Sequence, residues 1–106
     1  RVQSVADGLL PVRPGDLTFT HVSEFVDDVI TVKDEEIIKA VQWLMTTAKL
    51  VVEPSGAATV AAVLFQPGGA QLVHQGATVA VLSGGNIGHE LLVSLFPDAA
   101  SVISEQ

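Results

Sequence analysis

The residues best placed to do chemistry are Ser83-Gly84-Gly85-Asn86, directly after the run Thr78-Val-Ala-Val-Leu82. A hydroxyl, two flexible backbone units and an amide at the end of an apolar run let the backbone approach a ligand closely and hydrogen-bond it. In open α/β sheets, ligands bind in the crevice outside the carboxyl ends of the strands. The helix expected after this loop would open with free N–H groups suited to an anion. An ordinary strand-to-helix turn needs the same glycines, and short glycine motifs are weak signals.

A second segment repeats the arrangement. Leu50-Val51-Val52 ends at Glu53-Pro54-Ser55-Gly56-Ala57. A carboxylate at a strand end beside an apolar helix is costly unless paired or solvated. The plainer reason for Glu53 is that a helix N-terminus favours an acidic group. If the two runs are neighbouring strands of one sheet, both loops open on the same edge and can form one site. Elsewhere, His21, His74 and His89 show no metal-ligand spacing, and His89-Glu90 lacks the second histidine of a metalloprotease helix. Asp27-Asp28 and Asp34-Glu35-Glu36 read as a solvated edge and a helix start rather than a cation site. Trp43 reads as core or interface. No metal site is expected.

The elements that would position these loops alternate. Residues 1–16, with Gly8, Pro11, Pro14 and Gly15, read as loop. Leu17 to Val26 predicts a short helix, and the β-branched Asp28–Val32 a strand. Asp34 to Ala48 is the clearest helix: Ile37, Ile38, Val41, Leu44 and Met45 fall on one face. Its acidic first turn and Lys49 at its end both suit the helix dipole. Leu50–Val52 is a second strand. Pro54 or Ser55 starts the next helix, whose Gly56–Phe65 run carries Thr59 as its only polar side chain. A helix apolar all round is expected to be buried on every side. Gln66–Gly76 is a glycine-rich connection, Thr78–Leu82 a third strand, Gly88–Phe96 a last helix, and a tail begins at Pro97. Strands alternating with helices imply βαβ units and a parallel sheet, an α/β fold.

Composition bounds the rest. A chain of 106 residues is one domain at most, and 48% hydrophobic against 16% charged residues is apolar for so small a unit. A partner subunit or another part of the same protein is expected to cover the excess. Five Lys and Arg against twelve Asp and Glu, a net charge of −7, argue against nucleic acid and against an anionic membrane surface. No apolar run reaches the about 18 residues that span a bilayer. The absence of cysteine permits a reducing cytoplasm, where the protein is expected to reside. Arg1-Val-Gln-Ser4 carries neither initiator Met nor signal pattern and reads as the interior of a longer protein.

Four segments in order resemble the fold-type II pyridoxal-phosphate enzymes (the tryptophan synthase β-like fold), above all the threonine and serine dehydratases and serine racemase. They are Ser4-Val-Ala-Asp-Gly8, Phe25-Val-Asp-Asp-Val29, Lys49-Leu-Val-Val-Glu-Pro-Ser-Gly-Ala57 and Val81-Leu-Ser-Gly-Gly-Asn86. The resemblance implies that residues 1–106 are the C-terminal portion of the large domain of such an enzyme. It implies pyridoxal 5'-phosphate as cofactor and β-elimination of L-threonine or L-serine to a 2-oxo acid and ammonia. By resemblance Ser83 hydrogen-bonds the pyridine nitrogen, Glu53 and Gly84 line the cofactor pocket, and Gly8 approaches it from the side. A hydroxyl leaves the ring a milder electron sink than a carboxylate would, which suits prompt elimination.

The family's Schiff-base lysine stands in a Ser-Phe-Lys context, which Lys33, Lys39 and Lys49 all lack. The phosphate-binding loop, the asparagine at the ring hydroxyl and the cation site are missing too. The catalytic residues are therefore expected outside this chain, which alone is expected to be inactive. Its partners would be the missing N-terminal part, a small amino acid and, for the parent, a second copy in a homo-oligomer. The short stretch after Phe96 favours the catabolic or racemase-like class. Racemization or β-replacement is the alternative chemistry; a small non-catalytic α/β module binding an anionic ligand or a subunit is the alternative class.

Overall fold

The computed structural model describes residues 3–73 and 76–97. A 3-10 turn at Asp7–Leu9 is followed by α1 (Asp16–Phe25), α2 (Asp34–Trp43), α3 (Pro54–Val60) and α4 (His89–Ser94). Both α2 and α3 run on into a single π-helical turn, Leu44–Ala48 and Ala61–Phe65 respectively. His74 and the tail beyond Pro97 lie outside the described residues.

The core is the α2–α3 pair. The stripe expected on α2 turns inward: Ile37, Val41 and Leu44 are buried, with Ala40 between them, and Ile38 packs at the margin. On α3 the buried residues are Pro54, Gly56, Ala57 and Val60, followed by Ala61 and Ala62 in the π-helical turn. Ala40, Ala57 and Ala61 are wholly inaccessible. Small side chains at these positions let the two backbones approach closely, as interior packing density demands. Glu36, buried in the first turn of α2, accepts a hydrogen bond from the Lys33 N–H (2.7 Å). At the other end Lys49 is left-handed (φ 60°), and its Nζ donates to the Thr46 carbonyl (2.6 Å). Pro54 holds the first position of α3, where its missing N–H costs nothing.

Two expectations need correction. The run Gly56–Phe65 is not buried on every side: its α2-facing side is, while Thr59 and Leu64 are exposed. The three strands expected at Asp28–Val32, Leu50–Val52 and Thr78–Leu82 carry no ladder, and among the described residues there is no strand. A strand is a property of pairing, because its N–H and C=O groups must meet those of a neighbour. Val52 is buried and Val32, Ala80 and Leu82 pack against the core, but other apolar side chains of these runs face solvent, Val79 at 81% and Val29 at 75% exposure.

The periphery is equally uncovered. No residue of α1 is buried, and α1 packs on no other described helix. Its Leu17, Phe19 and Phe25 are exposed, with the His21 and Phe25 rings 6.0 Å apart. The Arg13–Asp16 ion pair at its start is itself exposed and adds little. Leu95, after α4, is buried, and its carbonyl accepts from Gln42 Nε2 of α2 (2.5 Å). The accessible surface is 8017 Å², against roughly 5,600 Å² for a compact 11.0 kDa monomer. The radius of gyration, 15.8 Å, also exceeds the about 13 Å of a compact chain of this length. This arrangement is a helical core carrying apolar segments that no other described residue covers.

Candidate functional site

The two loops singled out from the sequence do come together, around the first turn of α3. Glu53 caps that helix in an extended conformation (φ −69°, ψ 156°), and its carbonyl accepts from the Gly56 and Ala57 N–H groups at 3.0 and 3.1 Å. Its own N–H donates to the Gly84 carbonyl (3.3 Å), the one backbone bond that ties the 83–85 loop to the 51–53 segment. Gly84 is left-handed (φ +85°), and a Cβ there would run into the half-buried Glu53 carboxylate. Glycine at 84 therefore answers two demands, one conformational and one steric. A Cβ on Gly85 would stand 2.9 Å from the Val51 carbonyl oxygen.

Gly8 reaches the same turn from the N-terminal side. Its N–H donates to Ser55 Oγ (2.9 Å). The segment before it is pinned by Asp34, at the start of α2, whose carboxylate accepts from Ser4 Oγ (2.6 Å) and the Val5 N–H (2.9 Å). Asp34→Ala removes both anchors. Because they are exposed, the expected loss is about 1 kcal/mol in chemical denaturation, with faster hydrogen exchange at the Val5 amide. Asp34→Asn, which keeps one acceptor, falls between.

Gly8, Glu53, Ser83 and Gly84 are thus neighbours of one helix turn. Ser83 is exposed, and among the described residues its hydroxyl makes no hydrogen bond. Four contributors were not anticipated: Asp34, Ser55 as acceptor, Gly56 and Thr59. Gly56 carried a signal, since glycine inside a helix costs about 1 kcal/mol against alanine and implies a packing reason. Thr59, the only polar side chain in its run, carried another.

The remaining candidates stay apart from this cluster. His21 Nδ1 pairs with the Leu17 carbonyl (2.9 Å), and His89 opens α4 at the surface. Among the described residues no group of three His, Asp or Glu is placed to hold a metal ion. A cleft of about 540 Å³ between Leu10, Ile30, Ile37 and Ala62 is lined mostly by apolar side chains and includes none of the four site residues.

A serine hydroxyl on one loop and a carboxylate on the other, the carboxylate packed against Gly84, suit one edge of a heterocyclic ring. The chain belongs to the family of pyridoxal-phosphate dependent enzymes, which matches residues 1–88. An L-threonine ammonia-lyase of Thermotoga maritima is 46% identical over 85 residues, 79% of this chain and 20% of that protein. The catabolic L-threonine dehydratase TdcB of Escherichia coli is 39% identical over 84 residues, 79% of this chain and 25% of that protein. An L-threo-3-hydroxyaspartate ammonia-lyase of Saccharomyces cerevisiae is 35% identical over 85 residues, 80% of this chain and 25% of that protein. The chain spans a fifth to a quarter of the length of these relatives. No solved structure matches it significantly.

The residues present fit the family's cofactor along one side only. The exposed Ser83 hydroxyl makes no hydrogen bond among the described residues and so has capacity for a ring nitrogen, and the Glu53 carboxylate lies against the next residue, Gly84. Among the described residues the cations are Arg13, paired with Asp16, and Lys33, Lys39 and Lys49, all exposed. None of them takes part in the contacts of the Ser83–Glu53 cluster.

Proposed function

We propose that this chain is the C-terminal portion of the large domain of a pyridoxal-phosphate dependent dehydratase acting on L-threonine or L-serine. The observation that carries the reading is the meeting of Gly8, Glu53 and the Ser83-Gly84 loop at the start of α3. These are the segments through which the sequence resembles the dehydratases, and the relatives named above include an L-threonine ammonia-lyase and an L-threonine dehydratase. When bound, the cofactor supplies the electron sink that lets an amino acid lose its α-proton and then its β-hydroxyl. Ser83 holds the ring nitrogen through a neutral hydroxyl, and Glu53 and Gly84 wall the pocket. The lysine, the base and the phosphate loop come from the rest of the enzyme.

The bare apolar surface supports the same reading. Val29, Val51, Val79 and Val81 are exposed on segments that lack a ladder. In the parent these segments are paired into its parallel sheet, and the N-terminal part of the enzyme covers them. A cytoplasmic homo-oligomer goes with this assignment. Cysteine is absent, as a reducing compartment permits.

The test is the full-length protein that carries this chain, loaded with pyridoxal phosphate and offered L-threonine and L-serine. Formation of a 2-oxo acid with ammonia is the expected result; D-serine without 2-oxo acid, or no turnover at all, overturns it. Ser83→Ala in the same protein is expected to leave the fold intact. It should cut elimination by about 5- to 150-fold, the worth of one hydrogen bond to a reacting group of about 1–3 kcal/mol. Steady-state turnover and the visible spectrum of the bound cofactor check it.

A further inference from the structure

The outer face of α3 does more than follow Glu53. Ser55 Oγ takes the Gly8 N–H, and Thr59 Oγ1, one turn further on, donates to the Val81 carbonyl (2.8 Å). Between them Gly56 presents bare Cα surface to the Ser83 carbonyl oxygen, which a Cβ would overlap. Gly56 shows no positive φ, so its backbone asks nothing that alanine could not supply. Glycine is needed there only for the close approach of the 81–84 segment. Alanine would otherwise be the better helix former by about 1 kcal/mol.

We infer that Gly56 and Thr59 are positioning residues for Ser83, setting the height and the lateral placement of its loop over α3. Gly56 lets the Ser83 backbone settle against the helix. Thr59 grips the chain two residues earlier, and the Glu53 N–H grips Gly84 one residue later. The backbone of Ser83 is held by these three contacts, and among the described residues its hydroxyl makes no hydrogen bond. Neither Gly56 nor Thr59 would touch the cofactor; each acts through the backbone of the loop that carries Ser83. The consequence for the cofactor rests on the functional reading above, whereas the geometry does not.

The test uses the full-length protein with Gly56→Ala, Thr59→Val, Thr59→Ser and, alongside them, Ser83→Ala. Two properties are read: the Ser83 amide resonance without cofactor, and the dissociation constant for pyridoxal phosphate by absorbance titration. Gly56→Ala and Thr59→Val are expected to move the Ser83 amide and to weaken cofactor binding about fivefold each, the worth of one displaced hydrogen bond. Thr59→Ser restores both. Should Gly56→Ala fail to fold, Thr59→Val, which keeps the side-chain shape, decides alone. An unmoved Ser83 amide with wild-type affinity in the folded variants overturns the inference. A moved Ser83 amide, with wild-type affinity and spectrum in Ser83→Ala, sustains the positioning role and sinks the assigned function of Ser83 instead.

Discussion

Gly84→Ala in the full-length protein is expected to cost about 100-fold or more in turnover, near or beyond the upper end of the loss from Ser83→Ala. The residue sits at φ +85°, where an L side chain adds about 1–2 kcal/mol of strain. Its new Cβ would also run into the Glu53 carboxylate. That carboxylate is the tip of a flexible side chain and can swing away, so the fold survives. The swing moves the pocket wall, and a displacement of about 1 Å at a reacting centre can cost about 100-fold. Gly84→Asn separates the two effects, because asparagine tolerates the left-handed conformation yet still carries a Cβ. Stability by denaturant melt should recover partly in Gly84→Asn, while kcat should not. Adding Glu53→Ala to Gly84→Ala removes the overlap and should restore stability without restoring turnover. Wild-type turnover by Gly84→Ala would remove Glu53 and Gly84 from the site.

The helices of this chain were legible because a helix closes its own hydrogen bonds. The stripe Ile37–Val41–Leu44, the acidic start of α2, the lysine at its end and Pro54 at the head of α3 are all local signals, and each was found in place. The strands were not, because the runs at 28–32, 50–52 and 78–82 state only that they are apolar and β-branched. Whether they pair depends on neighbours, and among the described residues the one backbone bond between two of these segments is just past their ends, Glu53 to Gly84. For the same reason the Gly56–Phe65 run suggested burial that the chain supplies on one side only.

The site was legible to the extent that motif residues mark it. Glu53, Gly84 and Gly8 meet through contacts at one turn, and Ser83 stands beside them. What was hidden is the joinery. Ser55 holding Gly8, Thr59 holding Val81 and Asp34 holding Ser4 link positions 22 to 47 residues apart. No spacing rule ties such pairs together. They become visible only once α2 and α3 are packed and their flanking loops are drawn across them.

That dependence makes the packing itself the second large effect. Leu44 is the largest fully buried side chain of the core and stands where α2 passes into its π-helical turn. Its carbonyl accepts from the Leu50 N–H (3.0 Å), which starts the segment leading to Glu53. Leu44→Ala removes the apolar burial and leaves a cavity, a loss of about 2–5 kcal/mol. Domain stability is only about 5–15 kcal/mol, so the loss takes a large share of it and lowers the temperature at which the protein unfolds. Leu44→Met keeps the volume and should cost less than about 1.5 kcal/mol. The signature should differ from that of Gly84→Ala. Leu44 makes no contact in the site, and cofactor binds only the folded state, so saturating pyridoxal phosphate pulls the equilibrium back. Leu44→Ala should therefore show a depressed melting temperature and an apparent loss of activity that recovers toward wild type in the cold at high cofactor. Gly84→Ala should not recover under the same conditions. Equal recovery in both variants would mean that Gly84 serves the fold rather than the pocket.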